Sequence, residues 1–372
     1  MATIRYESLL VEQALSREYA AEMDRALKSM SGLNDIKPLI RDFEGEFARY
    51  IGVKNAVAVN SGSDALKMVL LAAGVGPGDE VIVPDLTYQA VALAVFYCGA
   101  TPVPVDARIE DLQMDPAGVK AAMTKQTKAV IAAHMFGRPC DVDEIGKLCR
   151  DNNIAFIEDV CQAESSRAKG QMLGSFGDMA AFSFSYYKPL SSCGGGGGMV
   201  VFNNDERNHI RHWMEDWRND GELLKLGQRF APMSLMDLIA LRVKFSHLKE
   251  IIASRLKIKA LYEKGLGSIK ELTIFKDRPK TESVAQNFVI CCAQRDQLVD
   301  FLTARGIMAQ KPYLSLHQMS VFKGVKKEKF SVSQWYSANA LHLPLHSFMS
   351  LEKARDVIEC CRDFYRKRSH ED

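Results

Sequence analysis

The sequence predicts an α/β protein whose large domain has a mostly parallel central sheet covered by helices, followed by a smaller α+β domain. One observation is that short apolar runs alternate with helical patterns between residues 56 and 159. These runs are apolar along their whole length, which is typical of parallel strands buried on both faces. The length of 372 residues also exceeds that of a usual single core. We therefore expect a large domain over residues 1–245 and a small one over 246–372.

The alternating part contains five predicted strands with a helix between each pair. The strands are AVAVN, EVIVP, TPVPVD, AVIAAH and IAFIED. The helices between them are SDALKMVLLAAG, TYQAVALAVFYCGA, PAGVKAAM and DVDEIGKLCR. Strands joined through helices run parallel, because a parallel pair needs a long crossover connection.

The pattern changes after residue 178. Two more strand-like runs, MAAFSFS and GMVVFN, flank the stretch SYYKPLSSCGGGG. A helical region over residues 204–217 follows, and one long helix over 234–266 is predicted to connect the two domains. The remainder predicts a strand in AQNFVICC and helices in RDQLVDFLTARG and LEKARDVIECCRDFYRKR.

Composition limits the classes of partner. The net charge of +2, from 48 basic and 46 acidic residues, leaves no excess for a nucleic-acid surface. No segment approaches the roughly 18 apolar residues of a membrane span, and the N-terminal stretch does not have the pattern of a signal peptide. Nine cysteines without a CxxC pair indicate reduced core thiols rather than disulfides or zinc ligands. We expect a cytoplasmic protein without a nucleic-acid, membrane or metal partner.

Parallel sheets bind ligands beyond the carboxyl ends of their strands, so the residues just after each strand are candidates for a site. After the first strand, NSGSDAL opens a helix. Gly62 permits close approach to the backbone, and Ser61, Ser63 and Asp64 can cap the helix, whose N–H groups suit a phosphate. The alternative is an ordinary N-cap without a ligand.

Two other strand ends carry suitable groups. Glu158 and Asp159 end a buried strand, where a carboxylate must be paired because an isolated buried charge is costly. Such a carboxylate could hold a helix end, an arginine or a cationic ring nitrogen. Tyr88 follows a neighbouring strand, and its ring could stack on a flat ligand or simply be half-buried with a solvated hydroxyl.

Lys188 lies just before the glycines of residues 194–198. Its neighbours in the chain are aromatic, and Pro189 follows it directly. Partly apolar surroundings disfavour the charged form of an amine, which is how a nucleophilic lysine is prepared. The alternative is a solvated surface lysine.

Together these groups match the requirements of pyridoxal phosphate. A reactive lysine forms a Schiff base with its aldehyde, and a carboxylate keeps the pyridine nitrogen protonated so that the ring can accept electrons. A helix start can hold the phosphate, and an aromatic side chain can stack on the ring.

The chain resembles the DegT/DnrJ/EryC1/StrS family of sugar aminotransferases, which are fold-type I pyridoxal-phosphate enzymes. The resemblance rests on DFEGEFARYIGVKNAVAVNSGSDAL, GVGPGDEVIVPDLTYQAVALAVFYCGATPVPVD, AHMFGRPCDVDEI, IEDVCQAESS and GSFGDMAAFSFSYYK, and more faintly on MSLMDLIALRVKFSHL, YLSLHQMSVF and LPLH. It implies a transaminase that moves an amino group from an amino acid, usually L-glutamate, to a keto sugar that is typically nucleotide-linked.

The resemblance also implies roles for single residues around the ring. Lys188 would be the catalytic residue, which forms the Schiff base and carries the proton. Asp159 would pair with the pyridine nitrogen, and Gln162 would approach the ring hydroxyl. Tyr88 would stack on the ring.

Other positions would hold the phosphate or support the ring. Gly62, Ser63 and Ser183 match the phosphate-holding positions of the family, and His134 matches a support close to the ring. Family members form homodimers with shared active sites, in which a polar residue reaches the neighbouring subunit's phosphate. Arg229 is the candidate for that residue here.

The chain also departs from the family. Many members carry an acid within the segment that is all glycine at residues 194–198, where bare backbone would let the cofactor, the acceptor or a partner subunit come close. Tyr186 and Tyr187 replace the usual Pro-Thr or Gly-Asn. The acceptor therefore stays open between a nucleotide-linked sugar, a keto-cyclitol and a sugar phosphate. Lys188 argues against the dehydratase relatives, which have histidine there, and a non-catalytic regulatory protein that binds the cofactor is the remaining alternative.

Overall fold

The protein's architecture is given by a computed structural model that describes residues 10–32, 35–205, 209–215, 230–323 and 327–368. Nine strands lie in its first 205 residues. They are β1 (Asn55–Val59), β2 (Glu80–Pro84), β3 (Thr101–Val105), β4 (Thr127–Ala133), β5 (Ala155–Asp159), β6 (Arg167–Ala168), β7 (Gln171–Met172), β8 (Met179–Ser183) and β9 (Gly198–Phe202).

Seven of these strands form the central sheet, in the order β1-β9-β8-β5-β4-β2-β3. All seven predicted strands of the large domain are therefore confirmed, and the sheet is mostly parallel as predicted. Only β9 runs antiparallel, and it does so to both of its neighbours. It follows β8 through a loop rather than a helical crossover, and such a connection returns the chain in the opposite direction.

Helices cover both faces of this sheet. The helices of this part are α1 (Leu10–Ser29), which packs on the later helix Leu235–Ser246, and α2 (Ile36–Ile51), α3 (Gly62–Ala72), α4 (Ala90–Tyr97), α5 (Pro116–Ala122), α6 (Val142–Asp151) and α7 (His209–Glu215), which lie against the sheet. The four helices predicted between strands are α3 to α6. The helix predicted over residues 204–217 is present as α7 within the described residues.

The two faces have separate cores because successive residues of a strand point to opposite sides. Val57 and Val81 pack with α3 and α4 in one core. Ala58 and Ile82 pack in the other core with α2, α5 and α6. This explains why the strands are apolar along their whole length.

The prediction of a single long helix over residues 234–266 is wrong. The segment forms α8 (Leu235–Ser246) and α9 (Leu248–Leu266), separated by His247 with φ −102° and ψ 7°. The N–H of His247 donates to the carbonyl of Lys244, a tightened turn that ends α8. The sequence did not predict this break, because no glycine or proline marks it and the apolar pattern continues across it.

The C-terminal part contains a second, antiparallel sheet. Its strands are β10 (Thr273–Ile274), β12 (Phe288–Cys291) and β13 (Ala340–Leu343), while β11 (Thr281–Glu282) pairs with β6. The remaining helices are α10 (Arg295–Thr303), α11 (Ser331–Asn339) and α12 (Leu351–Arg368). The strand predicted in AQNFVICC is β12, and the two predicted helices are α10 and α12. The domain boundary after residue 245 stays a prediction. Among the described helices, none has both the length and the apolar character to cross a membrane.

Candidate active site

A cavity of about 490 Å³ lies beyond the carboxyl ends of the parallel strands, and we call it the cleft. Its size is in the range of small-molecule sites. Eight of the predicted site residues line it, namely Gly62, Ser63, Tyr88, His134, Asp159, Gln162, Ser183 and Lys188. The ninth, Arg229, lies outside the described residues. The fold thus brings together residues that are up to 126 positions apart in the chain (188 − 62).

The start of α3 forms one wall of the cleft. Ser61 caps the helix, since its hydroxyl oxygen accepts the N–H of Asp64 at 3.1 Å. The N–H groups of Gly62 and Ser63, at the helix start, have no partner within the helix. A Cβ at Gly62 would lie 2.6 Å from the Cβ of Ser183, so only glycine lets α3 and β8 meet this closely. The predicted cap is therefore confirmed, and it leaves donors for an anion.

The two acids at the end of β5 serve different sides of the sheet. Glu158 is fully buried and accepts the N–H groups of Gly174, Phe176 and Gly177 at 2.8–3.0 Å. It also lies 3.1 Å from Nε2 of His134. Glu158 is thus bound by a loop, which is none of the three partners that the sequence left open.

His134 is held in one tautomer at the edge of the cleft. Its Nδ1 accepts the N–H of Cys140 at 2.9 Å, so the ring proton is on Nε2 and is donated to Glu158. An imidazole that accepts through one nitrogen and donates through the other is neutral. His134 therefore presents a fixed, uncharged ring to the cleft.

Asp159, by contrast, faces the cleft. Its Oδ1 accepts the N–H of Cys161 at 2.9 Å, and the side chain is only 7% exposed. In the described part of the chain, Asp159 makes no ion pair with a basic side chain. A mostly buried carboxylate that lacks a cation is costly, so this position suits a cationic ligand.

Lys188 is positioned by a turn after β8, in which its N–H donates to the carbonyl of Ser185 at 3.0 Å. The residue is half-buried and lines the cleft. Among the residues that the structure describes, none makes a hydrogen bond or ion pair with its Nζ. The amine is therefore available to a ligand, and it is not the fully solvated surface lysine of the alternative interpretation.

An aromatic and an amide group complete this side of the cleft. Tyr88 is 52% exposed, and its ring meets Tyr313 edge to face at 5.8 Å between centroids. The Gln162 amide accepts the N–H of Phe136 at 3.0 Å and donates to the Tyr313 hydroxyl at 3.2 Å. Both Tyr88 and Gln162 are thus oriented by neighbours, and Tyr88 keeps an accessible ring.

Sequence reasoning missed the contribution of the C-terminal part to the cleft. This part supplies Gln286, Asn287, Gln310, Lys311, Tyr313 and His342. Except for Tyr313, which lies in the quoted motif YLSLHQMSVF, none of these residues follows a recognisable signal. They reach the cleft from an antiparallel sheet and its loops, to which the strand-end rule does not apply.

The glycines of residues 194–198 make room for side chains of the same chain. Gly194 donates its N–H to Asp237 at 3.2 Å, and a Cβ there would lie 2.6 Å from the same oxygen. A Cβ at Gly195, whose φ is +73°, would clash with the ring of Tyr186. Gly194 and Gly195 are thus explained by packing, and Gly195 also lines the cleft.

Comparison with known proteins identifies the family. A model of the DegT/DnrJ/EryC1/StrS aminotransferase family matches residues 13–362. The chain belongs to this family. It is 33% identical to the dTDP-3-amino-3,4,6-trideoxy-alpha-D-glucose transaminase of Streptomyces venezuelae, over 95% of this chain and 94% of that protein. It is 32% identical to the GDP-perosamine synthase of Caulobacter vibrioides, over 88% of this chain and 90% of that protein.

A solved structure agrees with the family assignment. The crystal structure of DesV from S. venezuelae, in complex with a ketimine intermediate, matches with a TM-score of 0.89 and 31% identity. The match covers 98% of this chain and 99% of that one. The predicted family and fold class are therefore confirmed, and this family member is an aminotransferase. The roles of the single site residues stay predictions.

Glu158→Gln should destabilise the fold by on the order of 3 kcal/mol. In the wild-type chain the buried donors share the two carboxylate oxygens of Glu158. The glutamine amide has only one acceptor oxygen, so at least one buried N–H loses its partner. Urea unfolding of the variant and the wild-type chain measures the difference. Glu110→Gln, at an exposed position, is the control and should be neutral. Equal stability of the two variants would contradict this account of the loop.

Proposed function

We propose that the chain is a pyridoxal-phosphate-dependent aminotransferase that passes an amino group from L-glutamate to a nucleotide-linked keto sugar. The observation that carries the proposal is the pairing of Lys188 and Asp159 in one cleft. Within the described residues, the first offers an amine without a hydrogen-bond or ion-pair partner, and the second offers a carboxylate without a basic partner. An amine can bind an aldehyde, and a carboxylate can pair with a cationic ring nitrogen, so the two groups suit two parts of one ligand.

The other groups of the cleft fit the same cofactor. The N–H groups at the start of α3, which have no partner within the helix, and the hydroxyls of Ser63 and Ser183 are donors for its phosphate. Gly62 keeps this cradle open, since a side chain would fill the space against Ser183. The exposed ring of Tyr88 offers a stacking face. When bound, the cofactor supplies an electrophilic aldehyde and an electron-accepting ring.

The chain's own residues then have distinct tasks. With the cofactor bound, Nζ of Lys188 would hold the aldehyde carbon, with water as the leaving group. Once the donor's amino group has replaced it there, the free Lys188 amine would take the proton from the donor's α-carbon and would later return a proton on the way to the new amine. Asp159 would hold the positive charge of the ring nitrogen, and neutral His134 would support the site without adding charge. Gln162, fixed by Phe136 and Tyr313, is set to approach the ring hydroxyl.

The nucleotide-linked acceptor is supported by the relatives, whose names specify dTDP- and GDP-linked sugars. Asn287 and Gln310 add side-chain amides to the cleft. Amides both donate and accept hydrogen bonds, which suits the hydroxyls of a sugar.

The proposal is tested by absorption spectroscopy of the purified chain with pyridoxal phosphate. We expect a near-visible Schiff-base band that bleaches on adding L-glutamate. Lys188→Ala should lose the band and turnover yet stay folded, because the phosphate cradle and Asp159 remain. Lys125→Ala, at an exposed position, is the control and should behave like the wild-type chain.

The second half of this experiment adds keto sugars to the bleached form. Nucleotide-linked keto sugars should restore the band, whereas keto sugar phosphates and keto-cyclitols should not. Restoration by the latter compounds alone would refute the nucleotide-linked acceptor. A band that no amino donor bleaches would indicate cofactor binding without turnover.

We also propose a homodimer with shared active sites, as the family resemblance implies. The apolar helix α4 leaves Leu93 and Tyr97 43% and 57% exposed, and clustered exposed apolar residues are typical of a partner surface. Sedimentation should give twice the chain mass of 41.5 kDa. Leu93→Asp should shift the chain toward the monomer, whereas Met308→Asp, also exposed, should not. A monomeric wild-type chain would exclude this proposal.

A cytoplasmic location is proposed as well. All nine cysteines are free thiols, which suits a reducing compartment. Fractionation of cells that express the chain would test it, and recovery outside the cytoplasm would refute it.

A further inference from the structure

Gln286 is a buried amide in the wall of the cleft to which the proposed reaction gives no task. It is 6% exposed, and it lines the cleft from the C-terminal part of the chain. Its Nε2 donates to the backbone carbonyl of Tyr187 at 2.5 Å. Tyr187 directly precedes Lys188, so this bond holds the peptide unit that leads into the lysine.

The orientation of the Gln286 amide is fixed by this contact. A backbone carbonyl only accepts hydrogen bonds, so the nitrogen of the amide must face Tyr187. Its Oε1 is then left buried, with no hydrogen-bond partner within the described residues. Buried polar atoms without partners are costly, and a side chain that served packing alone would avoid this cost. The bond to Tyr187 is therefore the interaction that the amide serves.

The backbone of Gln286 is itself held firmly. The guanidinium of Arg255, which is 5% exposed, donates to the carbonyls of Ala285 and Gln286 at 2.8–3.2 Å. A Cβ at Gly137 would lie 3.0 Å from the nitrogen of Gln286, so the chain after β4 packs directly on it. The donor thus extends from a fixed backbone, and a fixed donor can hold its partner in place.

The turn that carries Lys188 has few other restraints. The N–H of Lys188 donates to the carbonyl of Ser185 at 3.0 Å within the turn. In the described part of the chain, the bond from Gln286 is the only other hydrogen bond to residues 185–188. The side chains of Tyr186 and Tyr187 are 54% and 57% exposed, so burial adds little restraint. The position of the turn therefore depends strongly on Gln286.

We propose that Gln286 is a positioning residue that fixes the Tyr187–Lys188 peptide, and with it the base of the Lys188 side chain. The inference rests on the proposed function, in which Lys188 binds the cofactor. Nζ adds to the aldehyde carbon, a C=N bond forms and the oxygen leaves as water, and this step requires close and well-directed approach. The stem of a lysine is flexible, so a fixed backbone limits where its amine can go.

A purely structural role is the alternative. In that role the bond only joins the chain before β12 to the chain after β8, and its loss would lower stability or distort the cleft as a whole. A positioning role predicts a narrower effect, in which the reaction of Lys188 slows while binding that does not involve its amine stays the same.

The test measures the rate of Schiff-base formation apart from turnover. The full chain, freed of cofactor, is mixed with saturating pyridoxal phosphate, and the near-visible band is followed in time. Gln286→Leu has a similar size but no donor. It should form the band about fivefold more slowly, which is the factor that one hydrogen bond is worth.

A second ligand separates the placement of Lys188 from the shape of the cleft. Pyridoxamine phosphate has no aldehyde, so Lys188 cannot form a Schiff base with it. Its dissociation constant should be the same in Gln286→Leu and the wild-type chain, because the start of α3, Asp159 and Tyr88 remain.

Two further variants support the comparison. Gln286→Asn keeps an amide but is one methylene shorter, so it should not reach the Tyr187 carbonyl and should slow the band as Gln286→Leu does. It also serves as the milder change if Gln286→Leu folds poorly. Gln126→Leu, at an exposed position, is the matched control and should form the band at the wild-type rate.

The possible outcomes are distinct. Wild-type rates in both Gln286 variants would overturn the inference and leave the proposed function intact. A loss of pyridoxamine phosphate affinity that parallels the loss of rate, or a lower unfolding temperature with an unchanged rate, would assign Gln286 to the structural alternative. Absence of the band from the wild-type chain would overturn the proposed function, and the inference with it.

Discussion

The buried carboxylate of Glu158 fixes the loop that contains Gly174, Phe176 and Gly177, and it orients His134, which lines the cleft. It stands beside Asp159 on the same strand, and neighbouring residues of a strand point to opposite faces of the sheet. Glu158 gathers a loop of backbone N–H groups and the ring of His134 on its side. Its neighbour Asp159 faces the cleft and has no ion pair with any basic side chain that the structure describes. Asp159 can thus stay available to a ligand because the loop and His134 bond to the adjacent Glu158 instead.

Close backbone packing imposes the second constraint on the site. Gly62 lets α3 approach Ser183, and a Cβ at Gly198 would lie 2.5 Å from the carbonyl oxygen of Ser61. These contacts bring the start of α3 next to the end of β8, and therefore next to the turn that carries Lys188. Because neither glycine has a side chain, the N–H donors at the start of α3 and the amine of Lys188 lie within reach of one small ligand.

The electrostatics of the cleft are local. The chain as a whole is nearly neutral, with a net charge of +2. Within a short segment, however, Glu158, Asp159 and Glu164 are all buried acids with different surroundings. The first is bound by backbone donors, the second faces the cleft, and the oxygens of the third have no hydrogen-bond partner within the described residues. Burial and partners decide whether a carboxyl group holds structure or binds charge.

The amino-acid pattern and the family resemblance predicted the seven strands of the main sheet, the helices between them and eight of the residues that line the cleft. They could do so because a parallel sheet places its strand ends at one edge, so that position along the chain predicts position in space. They did not reveal the break at His247, which follows from a tightened turn with no glycine or proline to mark it. The position at a strand end did not distinguish Glu158 from Asp159, and only the family resemblance singled out Asp159, because the fold decides which of two adjacent side chains meets the loop. Finally, the tertiary structure alone brought Gln286, Tyr313 and His342 to the cleft, since their approach depends on packing between distant segments.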